Sequence, residues 1–212
     1  MFPMRLRRIS LLLLSACSAL LCGCFPGASP PYVVDQYMLE YAPPQITGPR
    51  LPQVVEIGRF SVAQAYNTTG MVYKPDAYRV ATPYYHKWRT NPGDMVTDFL
   101  LRDFRASGLF RAVFSYRRPE SARFVVEGGI EEFLESSEEG GQVAVLGLEV
   151  TLLDRSARDI SERVVFQKRY RMEEAAIDQS PGAFARAMSQ AMAALAVEII
   201  GDVHRAVLKE AR

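Results

Sequence analysis

Three cysteines and two histidines are the chain's whole supply of thiol and imidazole. The cysteines, at 17, 22 and 24, crowd into the first two dozen residues, so the remainder offers no thiolate nucleophile and no thiolate metal site. His86 and His204 lie far apart in sequence. A metal held by both would need carboxylates from elsewhere, and surface histidine is the plainer reading. No G-x-S-x-G, H-E-x-x-H, P-loop or dinucleotide fingerprint occurs. Glu131, Glu132, Glu135, Glu138 and Glu139 form an acidic cluster without the ligand spacing of a calcium loop. It reads as a solvated hairpin end. Gly128-Gly129, inside a strand pattern, reads as a bulge or bend rather than a phosphate cradle. The side chains therefore predict no catalytic residues, no metal and no enzyme, for want of an activated nucleophile or an acid–base pair.

The remaining chemistry centres on Cys24. Arg5, Arg7 and Arg8 precede an apolar run from Ile9 to Leu21, followed by Leu21-Cys22-Gly23-Cys24. A basic start, an apolar core and small residues before a cut mark a secretory signal. The run is shorter than the roughly 20 apolar residues that span a bilayer. The tetrad resembles the lipobox of bacterial lipoproteins. That resemblance implies cleavage after Gly23, a diacylglycerol on the sulfur of Cys24 and an acyl chain on its new amino terminus. A plain signal peptide and an uncleaved anchor are the alternatives. A second such tetrad, Leu14-Ser15-Ala16-Cys17, leaves an apolar core of only about six residues before it, below the usual 7–15. The expected organisation is a signal peptide over 1–23, a lipidated cysteine and tether over 24–34, and one α+β domain over 35–212. No cofactor is expected beyond the covalent lipid.

Removing the three signal arginines leaves 25 − 3 = 22 basic side chains against 24 acidic ones, a net charge near −2. Nucleic-acid binding rests on a basic surface, so that class of partner is disfavoured. A chain of this length buries a real core without disulfides.

One region mixes aromatic and basic side chains. Tyr73, Tyr78, Tyr84, Tyr85 and Trp88 interleave with Lys74, Arg79, Lys87 and Arg89. Tyr, Trp and Arg are enriched at protein interfaces. Tyr73, Tyr78, Tyr84, Tyr85, Trp88 and Arg89 are therefore the candidate partner interface. The competing reading is that these rings simply cover the edge of the core.

The elements that would position this region follow from periodicity. Tyr37, Leu39 and Tyr41 alternate as in a strand, and Val54 to Val62 reads as a second. Lys74-Pro75-Asp76 has the turn chemistry of a hairpin between Met71–Tyr73 and Ala77–Val80. Asn91 or Thr90 caps a helix with Pro92 in its first turn, Met95, Phe99, Leu100 and Phe104 on its inner face, and Gly108 as its stop. Three strands, 122–134, 142–154 and 162–172, form an antiparallel meander. Ser180 caps a final helix with Phe184, Met188, Ala191, Leu195 and Ile199 along one stripe. The expected fold is α+β, a largely antiparallel sheet with two main helices on one face.

The order of these pieces is itself familiar. A lipobox, a Tyr-x-Leu strand ending in Pro43-Pro44, the Met71–Tyr78 hairpin, Tyr84-x-x-x-Trp88 and the helix end Ser107-Gly108-Leu109-Phe110 together resemble the ABC-type transport auxiliary lipoproteins, the group of the PqiC-like lipoprotein. The resemblance implies a periplasmic lipoprotein that assists an ABC transporter carrying an MCE-type substrate-binding protein in moving lipids between membranes. It implies no ATPase activity in this chain and leaves room for a homo-oligomer. Phe25 follows the lipidated cysteine where aspartate would signal inner-membrane retention, which implies the outer membrane. A periplasmic lipid shuttle or chaperone and an accessory lipoprotein of another envelope assembly are the alternative functions.

Overall fold

A computed structural model describes residues 33–117, 122–138, 140–159 and 161–210, and the expectations for the signal segment and Cys24 lie outside them. In chain order the elements are β1 (Asp35–Tyr37), β2 (Leu51–Ile57), β3 (Ser61–Val62), β4 (Tyr73–Lys74), β5 (His86–Trp88), α1 (Pro92–Ser107), β6 (Phe110–Ser115), β7 (Phe124–Glu138), β8 (Gly141–Asp154), β9 (Val164–Ala175) and α2 (Pro181–Glu210). This is the expected α+β architecture.

Strand β7 is the spine. Along one edge it pairs antiparallel with β8, which pairs antiparallel with β9, so the meander is as read. Along its other edge β2, β3 and β4 pair with it in succession, all parallel. β2 also pairs parallel with β6. The sheet is mostly antiparallel by ladder length but mixed, with a path β6-β2-β7-β8-β9. Parallel neighbours require a crossover, and the stretch between β2 and β6 supplies one that contains α1. The expected second strand is broken in two, because Gly58-Arg59-Phe60 steps away between β2 and β3.

One face of the sheet is buried beneath the helices. On β8, Ala144, Leu146, Leu148, Val150 and Leu152 are all fully buried, the period of two that a half-covered strand demands. α2 is about 45 Å long at 1.5 Å per residue. Its predicted stripe, Phe184, Met188, Ala191, Leu195 and Ile199, is sealed in the same core. The Ser180 hydroxyl accepts from the Ala183 amide at 3.2 Å, as a cap should. α1 begins at Asn91, whose Oδ1 accepts from the Gly93 amide at 2.9 Å, and ends at Gly108 in the left-handed conformation, φ 65°. Met95, Leu100 and Phe104 face the core. Phe99 packs at the edge of the same core, half-buried and stacked on Tyr41 at 5.1 Å.

The outer face of the meander is polar apart from a small buried cluster of Val72, Leu134 and Val145. A bulge between Ile130 and Glu132 places two glutamates together on this face. Glu131 pairs with Arg169 at 2.6 Å, and Glu132 crosses above Gly147 to reach Arg171 at 2.7 Å. Both belong to a lattice of ion pairs rather than a free acidic patch. The irregularity expected at Gly128-Gly129 thus falls just beyond it, between Ile130 and Glu132. At Gly128 a Cβ would lie 2.0 Å from the Glu149 carbonyl oxygen, so glycine there serves close strand approach.

Candidate functional site

The segment from Tyr73 to Arg89 leaves the sheet edge and returns to it. At its base, Tyr73 and Ala81 exchange two amide–carbonyl hydrogen bonds of 2.8 Å. At its tip, Asp76 Oδ1 accepts from the amides of Tyr78 and Arg79 at 3.0 and 2.9 Å, the local bond that makes aspartate a turn residue. The expected hairpin therefore exists as a turn with a single bridge, and Ala77–Val80 is not a strand. Its return limb is β5, which pairs parallel with β1: Asp35 opposite His86, Gln36 opposite Lys87, Tyr37 opposite Trp88. The Asp35 amide donates to the Tyr85 carbonyl at 2.9 Å, and the Arg89 amide to the Tyr37 carbonyl at 2.7 Å. The first expected strand is thus short, and Leu39 beyond it is a core residue rather than a strand position.

The six predicted interface residues separate by burial. Tyr78 is 99% exposed and Tyr84 66%, and Tyr85 packs edge-to-face on Tyr84 at 5.3 Å while also facing solvent. Lys87 Nζ lies 4.9 Å from the Tyr84 ring centre, a cation–π distance. Arg89 is exposed and its guanidinium donates to the Gln36 side chain. Tyr73 is half-buried on β4. Trp88 does not belong with the others. It is 1% exposed and wedged edge-on between Phe133 at 5.3 Å and Phe184 at 5.4 Å. Contrary to expectation it offers no surface for docking, because its ring is a keystone between the sheet and α2.

Behind this segment lies a cavity of about 300 Å³. Tyr73 and His86 line one side, Glu135 and Gln142 come from the β7–β8 hairpin end, and Pro181 and Phe184 from the start of α2. Register explains the carboxylate. Past the bulge, Phe133 faces the core, so Glu135 two residues on shares its side, beside the position of fully buried Ala144. Burial pushes the Glu135 carboxyl up to about 7. Its Oε1 and the Gln142 Oε1 are both buried without a hydrogen-bond partner. His86 Nδ1 is likewise unpartnered, with Asp35 Oδ2 at 3.8 Å, beyond bonding reach.

This corrects the solvated reading of Glu135. Strict alternation counted from Phe124 points it outward, and only the bulge turns it in. A polar residue two positions beyond Phe133 was the available signal. His204 is also corrected. It is buried, donates from Nε2 to the Pro49 carbonyl at 2.8 Å and meets Phe110 edge-on at 6.0 Å, so it is a structural histidine. Among the described residues no group of three or more ligating side chains gathers in one place.

The described domain is thus an α+β fold with an exposed aromatic segment and a small mixed cavity beneath it. The chain belongs to the family of ABC-type transport auxiliary lipoprotein components, whose model matches residues 37–200. The family is one of transport accessories rather than of enzymes. The fold is similar to that of protein XCC0632 from Xanthomonas campestris, of family DUF330 (TM-score 0.76, 18% identity), covering 84% of this chain and 99% of that one. It is similar also to the hypothetical protein CT253 from Chlamydia trachomatis (TM-score 0.51, 12% identity), covering 74% of this chain and 98% of the other. The chain has no significant match among curated proteins. No helix among the described residues is long and apolar enough to cross a membrane.

Proposed function

We propose that this protein is an outer-membrane-anchored auxiliary subunit of an MCE-type intermembrane lipid transport system, acting by docking rather than catalysis. Acyl chains on Cys24 hold the domain at the periplasmic face. Each buried methylene contributes about 0.8 kcal/mol, and more than one chain makes anchoring stable. Confinement raises the effective concentration of the domain for a partner that spans the periplasm. The partner is the MCE-type substrate-binding protein of an ABC transporter complex, and association of several copies of this chain would multiply the contacts.

The observation that carries this reading is the pairing of β1 with β5. The chain arriving from the tether is bonded directly to the segment that displays Tyr78, Tyr84, Tyr85 and Arg89. The first described strand of the domain and the candidate docking surface are therefore one hydrogen-bonded unit. Neither this cavity, about 300 Å³, nor the more open groove of about 640 Å³ between residues 46–49 and α2 encloses a two-chain lipid, which supports docking over a shuttle.

Cys24→Ser should release the protein from the membrane fraction. Tyr78→Ala with Tyr84→Ala should abolish co-purification of the MCE partner while circular dichroism stays native. Retained co-purification by the double variant, or an intact outer membrane and transporter after gene deletion, would overturn the reading.

A further inference from the structure

We propose that the cavity between the β7–β8 hairpin end and the start of α2 binds a small amphiphile with a primary ammonium head on a short alkyl chain. Glu135 and Gln142 hold the head. The inference stands on the cavity alone and does not depend on the transport reading.

The polar groups come first. Glu135 Oε1 and Gln142 Oε1 are acceptors, both buried and both without a partner. Leaving such an atom bare costs about 1–3 kcal/mol, so two in one small cavity call for a donor. They come from adjacent strands: Glu135 lies opposite Ala144 and Gln142 opposite Ser137, which makes them diagonal neighbours on one face. No lysine or arginine lines the cavity, and His86, which does, bonds to neither of these oxygens. An ammonium brings three donors and a positive charge, the complement of a carboxylate beside an amide oxygen. A carboxylate or phosphate head would instead meet Glu135 as a like charge.

The walls choose the rest of the ligand. Met71, Val72 and Phe184 give the remaining surface an apolar character. An alkyl chain of a few carbons buries itself there at about 25 cal/mol per Å², whereas a bare ammonium ion would leave these side chains unmatched. The volume, about 300 Å³, stands at the lower limit for ligand pockets.

Trp88 supplies the reporter, since it is the chain's single tryptophan and packs against Phe184 in the cavity wall. The full chain in dodecyl maltoside is titrated at pH 8 with n-hexylamine, n-hexanol and n-hexanoate, following Trp88 emission. The expected result is a saturable change with hexylamine at a concentration at least about tenfold below that for hexanol, and none with hexanoate. In Glu135→Gln the preference for amine over alcohol should disappear. If that variant does not fold, the wild-type order of the three probes decides alone. Equal response to amine and alcohol, a response to hexanoate, or no saturable response, as for a cavity holding only water, would each overturn the proposal.

Discussion

The Tyr41 hydroxyl donates a 2.7 Å hydrogen bond to Oδ2 of Asp103, a carboxylate with no solvent exposure. Arg102 Nε closes the other oxygen at 2.8 Å, and its guanidinium lies 4.4 Å from the centres of both the Tyr41 and Phe99 rings. Burial, then the bond to Asp103, push the Tyr41 hydroxyl well above the usual phenol range. The chain after β1 is thereby pinned to α1. Tyr41→Phe leaves a buried carboxylate oxygen without its donor, at a cost of about 1–3 kcal/mol. Urea unfolding measures it, and an unchanged midpoint would mean that another donor replaces the hydroxyl.

Asp154 closes β8 by accepting from Arg123 Nη2 at 2.7 Å and from the Ser156 hydroxyl at 2.7 Å. The Arg123 bond, aided by Ser156 and opposed by burial, holds its carboxyl down to about 2, below an ordinary 3.8. A lowered pKa contributes stability that is complete above the unfolded value and is lost as pH falls through the folded one. Linkage gives about 2 kcal/mol, reduced to about 1 because solvent screens the half-exposed Arg123. Asp154→Asn should cost that amount at pH 7 and nothing near pH 1.5. Equal cost at both would assign the loss to packing.

Glu135 runs the other way. Its carboxyl titrates near 7 in the fold against an ordinary 4.5. The folded state therefore holds a proton that the unfolded chain has released, and stability falls as pH rises from 4.5 to 7. Glu135→Gln should match the wild type at pH 4 and exceed it at pH 8 by about 1–3 kcal/mol. Paired thermal melts at the two pH values test this. A variant less stable at pH 8 would show the carboxylate to be partnered.

Trp88→Ala and Tyr78→Ala should part company. The first removes a buried ring between Phe133 and Phe184 and should cost about 3–5 kcal/mol. The second removes a side chain 99% exposed and should stay within about 0.5 kcal/mol. Chemical denaturation of both separates packing from display along one short segment.

Periodicity made the meander, α1 with its Asn91 cap and Gly108 stop, and the α2 stripe readable in advance, because each is a local pattern repeated over several turns or strand positions. The parallel pairing of β2, β3 and β4 with β7 was not readable. Those strands are two to seven residues long, and their partners are chosen by the spine rather than by their own sequence. The cavity was hidden for a related reason. One extra residue at Glu131–Glu132 reverses the parity of everything after it, so Glu135 changes faces without any change in its own neighbours. Trp88 reads as an interface residue because an aromatic beside Lys87 and Arg89 has that composition, while Phe133 and Phe184, distant in sequence, bury it in the fold. Tyr78, by contrast, follows an Asp-bearing turn and sits where the turn puts it.

The pairing of β1 with β5 also has a mechanical side. Tension applied through the residues before Asp35 enters the domain along β1 and is resisted by the bonds to Tyr85 and Arg89. When the pull runs along the strand these bonds share the load instead of breaking in sequence. Behind them Trp88 joins β5 to the sheet and the first turn of α2. A strand of three residues thus acts as a strain relief, its few bonds yielding before the core behind them is loaded.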